Sequence, residues 1–298
     1  MTNSNLATFV SVFNRYAPRP PLAVISTGVI GFFWLTYLFS WINPSLLSSW
    51  AFSPNKLVQH YDPSTFTTYP LIHSGFFHVL FNSMALYYPL SEYEVSHGSL
   101  HTALVINTLG AILAITITVI SIILVHLGLE SPDCMDNLYL GSSGWVFTFI
   151  TVSCCHRSIN DPYTVLFNHY NVPTVFIPLV YLLLSAFLFP SSSFIGHLVS
   201  IILGFLIFKK IIALLTIPPF QILNKIESLS VFHNAIEAIF PKDIFVWTWE
   251  NEVLSSRYTV SDFSTPLGLP LHHGNVDTTT QPPFKGPGEK LGSSSTTA

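Results

Sequence analysis

Apolar residues gather in six runs along the chain, at roughly 22–42, 71–90, 101–128, 139–155, 172–189 and 194–216. Polar and Pro- or Gly-bearing stretches separate them. A helix crosses a bilayer with about 20 apolar residues, within a range of about 17 to 25. The first, second, fifth and sixth runs fit that length. The third is long enough to tilt or to extend past the bilayer. The fourth is short and opens on Gly141-Ser142-Ser143-Gly144. Pro178 lies within the fifth run, where a membrane helix tolerates it as a kink. The pattern predicts six spanning helices over residues 22–217. It shows no internal repeat of the kind on which inverted-repeat transporters are built.

Beyond 217 the pattern changes. Residues 222–240 space their apolar positions as a helix does, which suits either the membrane surface or packing on the bundle. After about 255 the chain is rich in Ser, Thr, Pro and Gly and is expected to be disordered. The expected organisation is a cytosolic segment 1–21, a bundle 22–217, a juxtamembrane segment 218–254 and a tail 255–298.

Composition supports the membrane reading. Only 9% of the 298 residues are charged and half are hydrophobic. Soluble domains carry about 25% charged residues. The net charge of −4 leaves no basic footprint for nucleic acid. Three cysteines, Cys134, Cys154 and Cys155, cannot make a disulfide framework. With the N-terminus cytosolic, ten of the eleven Lys and Arg fall in cytosolic segments and Lys56 alone falls outside. The outer loops hold Asp62, Glu130, Asp133 and Asp136. The excess of positive charge inside predicts that both termini are cytosolic.

Polar groups inside spanning helices are costly and usually face the protein interior. Helix two carries His73, His78 and Asn82, helix four Ser143, and helix six His197. These helices all run from outside to inside, and Ser143 and His197 lie only ~5–8 Å below the outer end at helical rise. His78 and Asn82, four apart, share one face. Singly, a membrane histidine commonly makes a structural hydrogen bond and a membrane serine commonly packs or bonds its own helix. Together they fit acyl transfer. A serine hydroxyl needs a base to take its proton, and His197 supplies one for Ser143. The free N–H groups at the start of helix four, with His78 and Asn82, suit a developing oxyanion. No carboxylate lies at the depth of His197, so the expected unit is a dyad. No metal and no organic cofactor is called for.

At these residues the chain resembles the rhomboid family of intramembrane serine proteases. The resemblance rests on His73-x4-His78-x3-Asn82, Gly141-x-Ser143-Gly144, His197 with Gly204, and Glu94-x3-Gly98. It implies an all-α membrane protein, a six-helix bundle with a largely disordered cytosolic tail. It implies Ser143 as nucleophile and His197 as general base, with His78, Asn82 and the Ser143 backbone N–H holding the oxyanion. His73, Gly141, Gly144, Glu94, Gly98 and Gly204 are then structural. The chain departs from the family in lacking a Trp-Arg pair between 43 and 70. It also has Ser200 where a small residue, usually Gly, follows the helix-six histidine, and Phe147 where many members have Tyr.

Residues 284–291 resemble an SHP box, with Phe284, Gly286, Gly288 and Leu291 at its fixed positions. That motif implies a valosin-containing-protein-type AAA+ ATPase as partner, bound by an extended peptide. Bundle and tail together resemble the fungal Golgi branch of the family, which implies Golgi or endosomal membranes. The expected function is cleavage of transmembrane substrates near the luminal end of their helix. A derlin-like adaptor that delivers membrane clients to the ATPase is the alternative. Such pseudoproteases lack the catalytic Ser or His, and this chain has both. A proton-relaying transporter would not need the Gly-x-Ser-Gly.

Overall fold

The computed structural model describes residues 23–166, 169–190, 192–212, 220–240 and 244–250. Six helices of twelve or more residues occupy the six apolar runs. They are α1 (Val24–Ile42), α5 (Phe76–His97), α6 (Ser99–His126), α7 (Ser143–Arg157), α8 (Ile177–Leu188) and α9 (Phe194–Phe208). Two of them, α1 and α6, are long and apolar enough to cross a membrane by length and composition. Shorter helices α2 (Ser45–Trp50), α3 (Pro54–Val58) and α4 (Thr65–Thr68) lie between α1 and α5.

Helix α7 is central. It packs against both α9 and α5, and α1 packs against α5. A single apolar core joins these helices to α6 through Phe33, Leu86, Leu109, Trp145, Phe149 and Leu203. The closest approach is at Gly204 of α9, where a Cβ would come within 2.6 Å of Thr151 Cβ and 2.8 Å of the Thr148 carbonyl. Small residues at helix contacts let backbones approach in this way. Thr148 Oγ1 ties the pair by donating across to the Ser200 carbonyl (3.0 Å).

Several boundaries differ from the sequence expectation. Helix two begins at Phe76, so His73 precedes it in a loop, and it continues past 90 to His97. Pro89 lies inside it, and Glu94 lies in its last turns instead of beyond it. Helix four begins at Ser143, not 139, because Tyr139 is paired in a β-bridge with Phe52 and Gly141 has φ +100. Helix five begins at Ile177, because Tyr163–Leu166 (β1) and Tyr170–Pro173 (β2) form an antiparallel hairpin that takes up the start of the fifth run. Pro178 therefore sits in the first turn, where its missing N–H breaks no bond, and it makes no kink. Helix six stops at Phe208, followed by Lys210 in a left-handed conformation (φ +57). The 222–240 stretch is two helices, α10 (Phe220–Glu227) and α11 (Ser230–Ile239), not one. The tail and its SHP-like residues Phe284, Gly286, Gly288 and Leu291 lie outside the described residues.

Glu94 explains why an acid belongs in such a chain. It is fully buried, and its carboxylate accepts from Ile25 N–H (2.9 Å), Ser26 N–H (2.8 Å), Ser26 Oγ (2.7 Å) and Ser99 Oγ (2.6 Å). It satisfies free donors at the start of α1 and ties α6 to them, as an anion at helix N-termini should. Gly98 (φ +97) makes the tight turn from α5 into α6 and leaves room for Thr248, whose Oγ1 would lie 2.9 Å from a Cβ there. A second carboxylate, Glu92, accepts from Ser153 Oγ (2.6 Å) and ties α5 to α7. The three cysteines are free thiols.

Candidate active site

The loops between α1 and α5 set the geometry around Ser143. Phe52 and Tyr139 exchange backbone bonds at 2.9 and 2.7 Å, and Gly141 N–H donates to the Tyr69 carbonyl (2.9 Å). The segment ahead of α7 is thereby kept out of the helix through residue 142, and Ser143 becomes the first helical residue. Lys56 supports this loop from outside. Its ammonium caps α2 by donating to the Ser48 (2.6 Å), Ser49 (3.3 Å) and Ala51 (2.6 Å) carbonyls. Burial lowers the Lys56 pKa from its usual value, and Asp62 works in the opposite direction. Lys56 is thus a structural cap.

Gly141 needs to be glycine on two counts. Its φ of +100 is strained for any side chain, and a Cβ would lie 2.6 Å from both Cε1 and Nε2 of His78. The His78 imidazole therefore rests directly on the backbone ahead of the serine. Its Nδ1 is 3.2 Å from Ser74 Oγ. With that hydroxyl donating, the ring proton is on Nε2, the nitrogen turned toward Gly141. Asn82 is buried, and its amide donates one N–H to the His78 carbonyl (2.9 Å), leaving the other. His73 is fully buried one layer behind, with Nε2 3.4 Å from Ser142 Oγ and its ring 5.0 Å from that of His78. Phe33 packs on its other side (4.8 Å).

From α9, His197 reaches across so that Nε2 lies 2.9 Å from Ser143 Oγ. Phe147, one turn after Ser143, packs its ring 4.5 Å from the imidazole. The opposite nitrogen, Nδ1 of His197, is buried with no hydrogen-bond partner among the described residues. Ser200 bonds its own helix at the Gly196 carbonyl (2.7 Å) and leaves the α7–α9 contact close. Gly144 permits that contact, since a Cβ would meet Leu113 at 2.9 Å and Ser200 Oγ at 3.4 Å. Ser143 itself is half-exposed while Ser142 beside it is fully buried. The two serines are thereby distinguished by access as well as by the histidine.

The structure thus brings Ser143, His197, His78 and Asn82 to one end of the bundle, with His73, Gly141 and Gly144 packed beneath. Glu94, Gly98 and Gly204 lie elsewhere, at a helix junction and a helix crossing. Sequence reasoning missed Phe52, Tyr69 and Tyr139, which hold the segment before Ser143. Their pairing spans up to 87 positions, from Phe52 to Tyr139, and no local spacing announces it. No group of three or more His, Cys, Asp or Glu among the described residues is placed to hold a metal ion.

Residues 60–213 match the Rhomboid domain family. The Rhomboid-type serine protease 2 of Saccharomyces cerevisiae is 32% identical over 266 residues, spanning 87% of this chain and 94% of that protein. The protein of the same name from Eremothecium gossypii is 32% identical over 210 residues, 68% of this chain and 74% of its own. That of Kluyveromyces lactis is 28% identical over 275 residues, 91% and 95% of the two chains. A histidine bonded to a half-exposed serine at a helix start, within a match of this extent, leads to one assignment: the chain belongs to the rhomboid family of intramembrane serine proteases.

Proposed function

We propose that the protein is an endopeptidase that cuts transmembrane substrates near the luminal end of their helix, using Ser143 and His197 as a dyad. The observation that carries this reading is the 2.9 Å approach of His197 Nε2 to Ser143 Oγ, with Nδ1 of the same ring unpaired among the described residues. Nε2 takes the hydroxyl proton as Oγ bonds to the scissile carbonyl carbon. The carbonyl oxygen becomes an oxyanion, for which the Ser143 backbone N–H, His78 Nε2–H and the remaining Asn82 N–H are the donors. His197 then passes its proton to the leaving nitrogen, and the C–N bond breaks to give an acyl-enzyme. A water loses a proton to His197, attacks the ester and releases the new carboxyl terminus, and the proton returns to Ser143.

Depth supports an intramembrane reaction. At about 1.5 Å per residue α7 is roughly 22 Å long, against a hydrocarbon core of about 30 Å. A helix this short does not fill the core, which leaves room for Ser143 at its start to lie below the membrane surface. Six spans with both termini cytosolic fit the charge distribution, in which the described outer loops carry Lys56 as their one basic residue. A substrate must unwind locally, since helical peptide bonds are shielded and internally bonded. The SHP-like residues 284–291 suit recruitment of a valosin-containing-protein-type ATPase at a Golgi or endosomal membrane. The hydrogen-bonded Ser–His pair favours the protease over an adaptor role.

The test is purified protein in liposomes with a transmembrane substrate. Ser143→Ala and His197→Ala should each abolish cleavage, and a fluorophosphonate should label wild type but not Ser143→Ala. Cleavage that persists in purified Ser143→Ala overturns the assignment. Deleting 284–291 should leave this activity intact and reduce processing in cells; equal processing would remove the recruitment role.

A further inference from the structure

Helix α11 has three faces instead of two. One face, with Phe232, Ile236 and Phe240, is half-buried, and the Phe232 ring lies 6.3 Å from Phe245 and 6.5 Å from Trp247. A second face carries Ser230, His233, Asn234 and Glu237, with His233 and Glu237 paired at 3.4 Å. The third is apolar and open: Val231, Ala235, Ala238 and Ile239 follow at i, i+4, i+7 and i+8. Val231 is 82% exposed and Ile239 69%. An amphipathic helix on a soluble surface has one apolar stripe, turned to the core. Here the protein already covers one stripe, and a second is presented outward beside the polar face.

The place of this helix is set by hydrogen bonds. Its buried face packs on segment 244–250, which is bonded to helix ends of the bundle. Val24 N–H donates to the Ile244 carbonyl (3.2 Å), Ser99 N–H to the Val246 carbonyl (2.8 Å), and Val246 N–H to Ser99 Oγ (3.0 Å). Thr248 N–H and Oγ1 donate to Glu227 of α10 at 2.8 and 2.6 Å. Val24 is the first residue of α1 and Ser99 the first of α6, the two described helices long and apolar enough to cross a membrane. The α10–α11 pair is therefore fixed at the level where those helices leave the hydrocarbon. Trp247 and Trp249 stack in the same layer, centroids 4.6 Å apart, where aromatic belts lie in membrane proteins. Leu229, at the junction of α10 and α11, is also exposed.

We propose that α10 and α11 form an interfacial foot. The Val231–Ala235–Ala238–Ile239 face is sunk into the lipid on the side where α1 and α6 begin, and Asn234 and Glu237 face water. The proposal rests on α1 and α6 crossing the bilayer and not on the protease chemistry.

Single cysteines at Val231, Ile239, Asn234 and Glu237 are spin-labelled in the full chain, with Cys134, Cys154 and Cys155 replaced by Ala and the thermal transition checked. Val119→Cys and Ile123→Cys, on exposed positions within α6, are the controls. In phosphatidylcholine–phosphatidylserine nanodiscs, collisions with oxygen relative to a water-soluble nickel chelate should be several-fold higher at 231 and 239 than at 234 and 237. Equal ratios at the four positions overturn the proposal. So does label–label broadening at 231 that vanishes on dilution with unlabelled protein, which assigns the face to a second copy. Shielding lost on deleting 251–298 assigns it to the tail instead. Nickel-accessible controls at 119 and 123 would overturn the membrane placement itself, separately from the foot.

Discussion

Replacing Glu94 with Ala should be among the most destabilising single changes in the bundle and should leave the chemistry of Ser143 untouched. The carboxylate is fully buried and accepts four hydrogen bonds, two of them from the backbone N–H groups of Ile25 and Ser26. The two serine hydroxyls can rotate toward other acceptors after the change, but the two amides cannot. Each buried donor left unmade costs about 1–3 kcal/mol. With the small cavity added, the total is about 3–7 kcal/mol. For an ordered unit of this size about 2–4 °C of melting temperature accompanies each kcal/mol, so Tm should fall by roughly 6–28 °C. Glu94→Gln keeps the shape. Whichever way the amide turns, its NH2 faces one amide and one hydroxyl, and only the hydroxyl can reorient to accept. One unmade donor then predicts a loss of about 1–3 kcal/mol, well short of the alanine variant. The assay is thermal unfolding of purified protein in detergent micelles, read by intrinsic fluorescence. Ser26→Ala supplies the internal check: its cost in the wild type should vanish on the Glu94→Ala background, because the bond of the Ser26 hydroxyl is already lost there. Glu94 lies 16 residues from His78 along α5, about 24 Å at helical rise, so fluorophosphonate labelling per folded molecule should be unchanged. A Glu94→Ala protein melting within about 1 °C of wild type would refute the view that this carboxylate joins the three helix ends.

Other positions give sharper readouts at the site. Gly141→Ala combines a strained φ with a Cβ 2.6 Å from His78, so labelling of Ser143 should drop at least ~10-fold, the factor for about 1.4 kcal/mol, with smaller effect on Tm; equal labelling would mean the loop relaxes freely. Gly204→Val places side-chain atoms where Thr151 and the Thr148 carbonyl already are, so both Tm and labelling should fall together as α9 moves off α7. Phe147→Ala removes the ring packed 4.5 Å from His197 and should lower kcat with KM nearly unchanged, whereas a pure KM effect would place Phe147 in substrate binding. Lys56→Met removes the cap on three carbonyls and should cost roughly 1–3 kcal/mol of stability, visible as a Tm several degrees lower; no shift would show that the partly exposed ammonium is replaced by water.

What could be read from the chain alone follows from how far each determinant reaches. The six helices were legible because apolarity is summed over twenty neighbouring residues, and the His-x4-His-x3-Asn and Gly-x-Ser-Gly spacings were legible because each lies within one turn or two. The ends were not. Ser143 is the first residue of its helix only because Phe52 and Tyr69, far back along the chain, bond Tyr139 and Gly141 and keep them out of the helix. Pro178 shows the same limit, since a proline within an apolar run reads as a kink until a hairpin claims the residues ahead of it. Glu94 was recognisable as a motif letter, yet its work is done at Ile25 and Ser26, nearly seventy positions away, with no periodicity connecting them. The same separation divides the site. The Ser143 and His197 pair follows from residue type and depth, which local sequence carries. The seat of the His78 ring depends also on the backbone at Gly141, which is bonded by Tyr69 outside the motif. Buried carboxylates in a membrane bundle are few because each needs partners, and Glu92 and Glu94 both find theirs more than sixty positions away. Lys56 instead caps carbonyls five to eight positions back. In a chain this poor in charge, an isolated ionisable residue therefore points first to a backbone or side chain that needs it, and only then to catalysis.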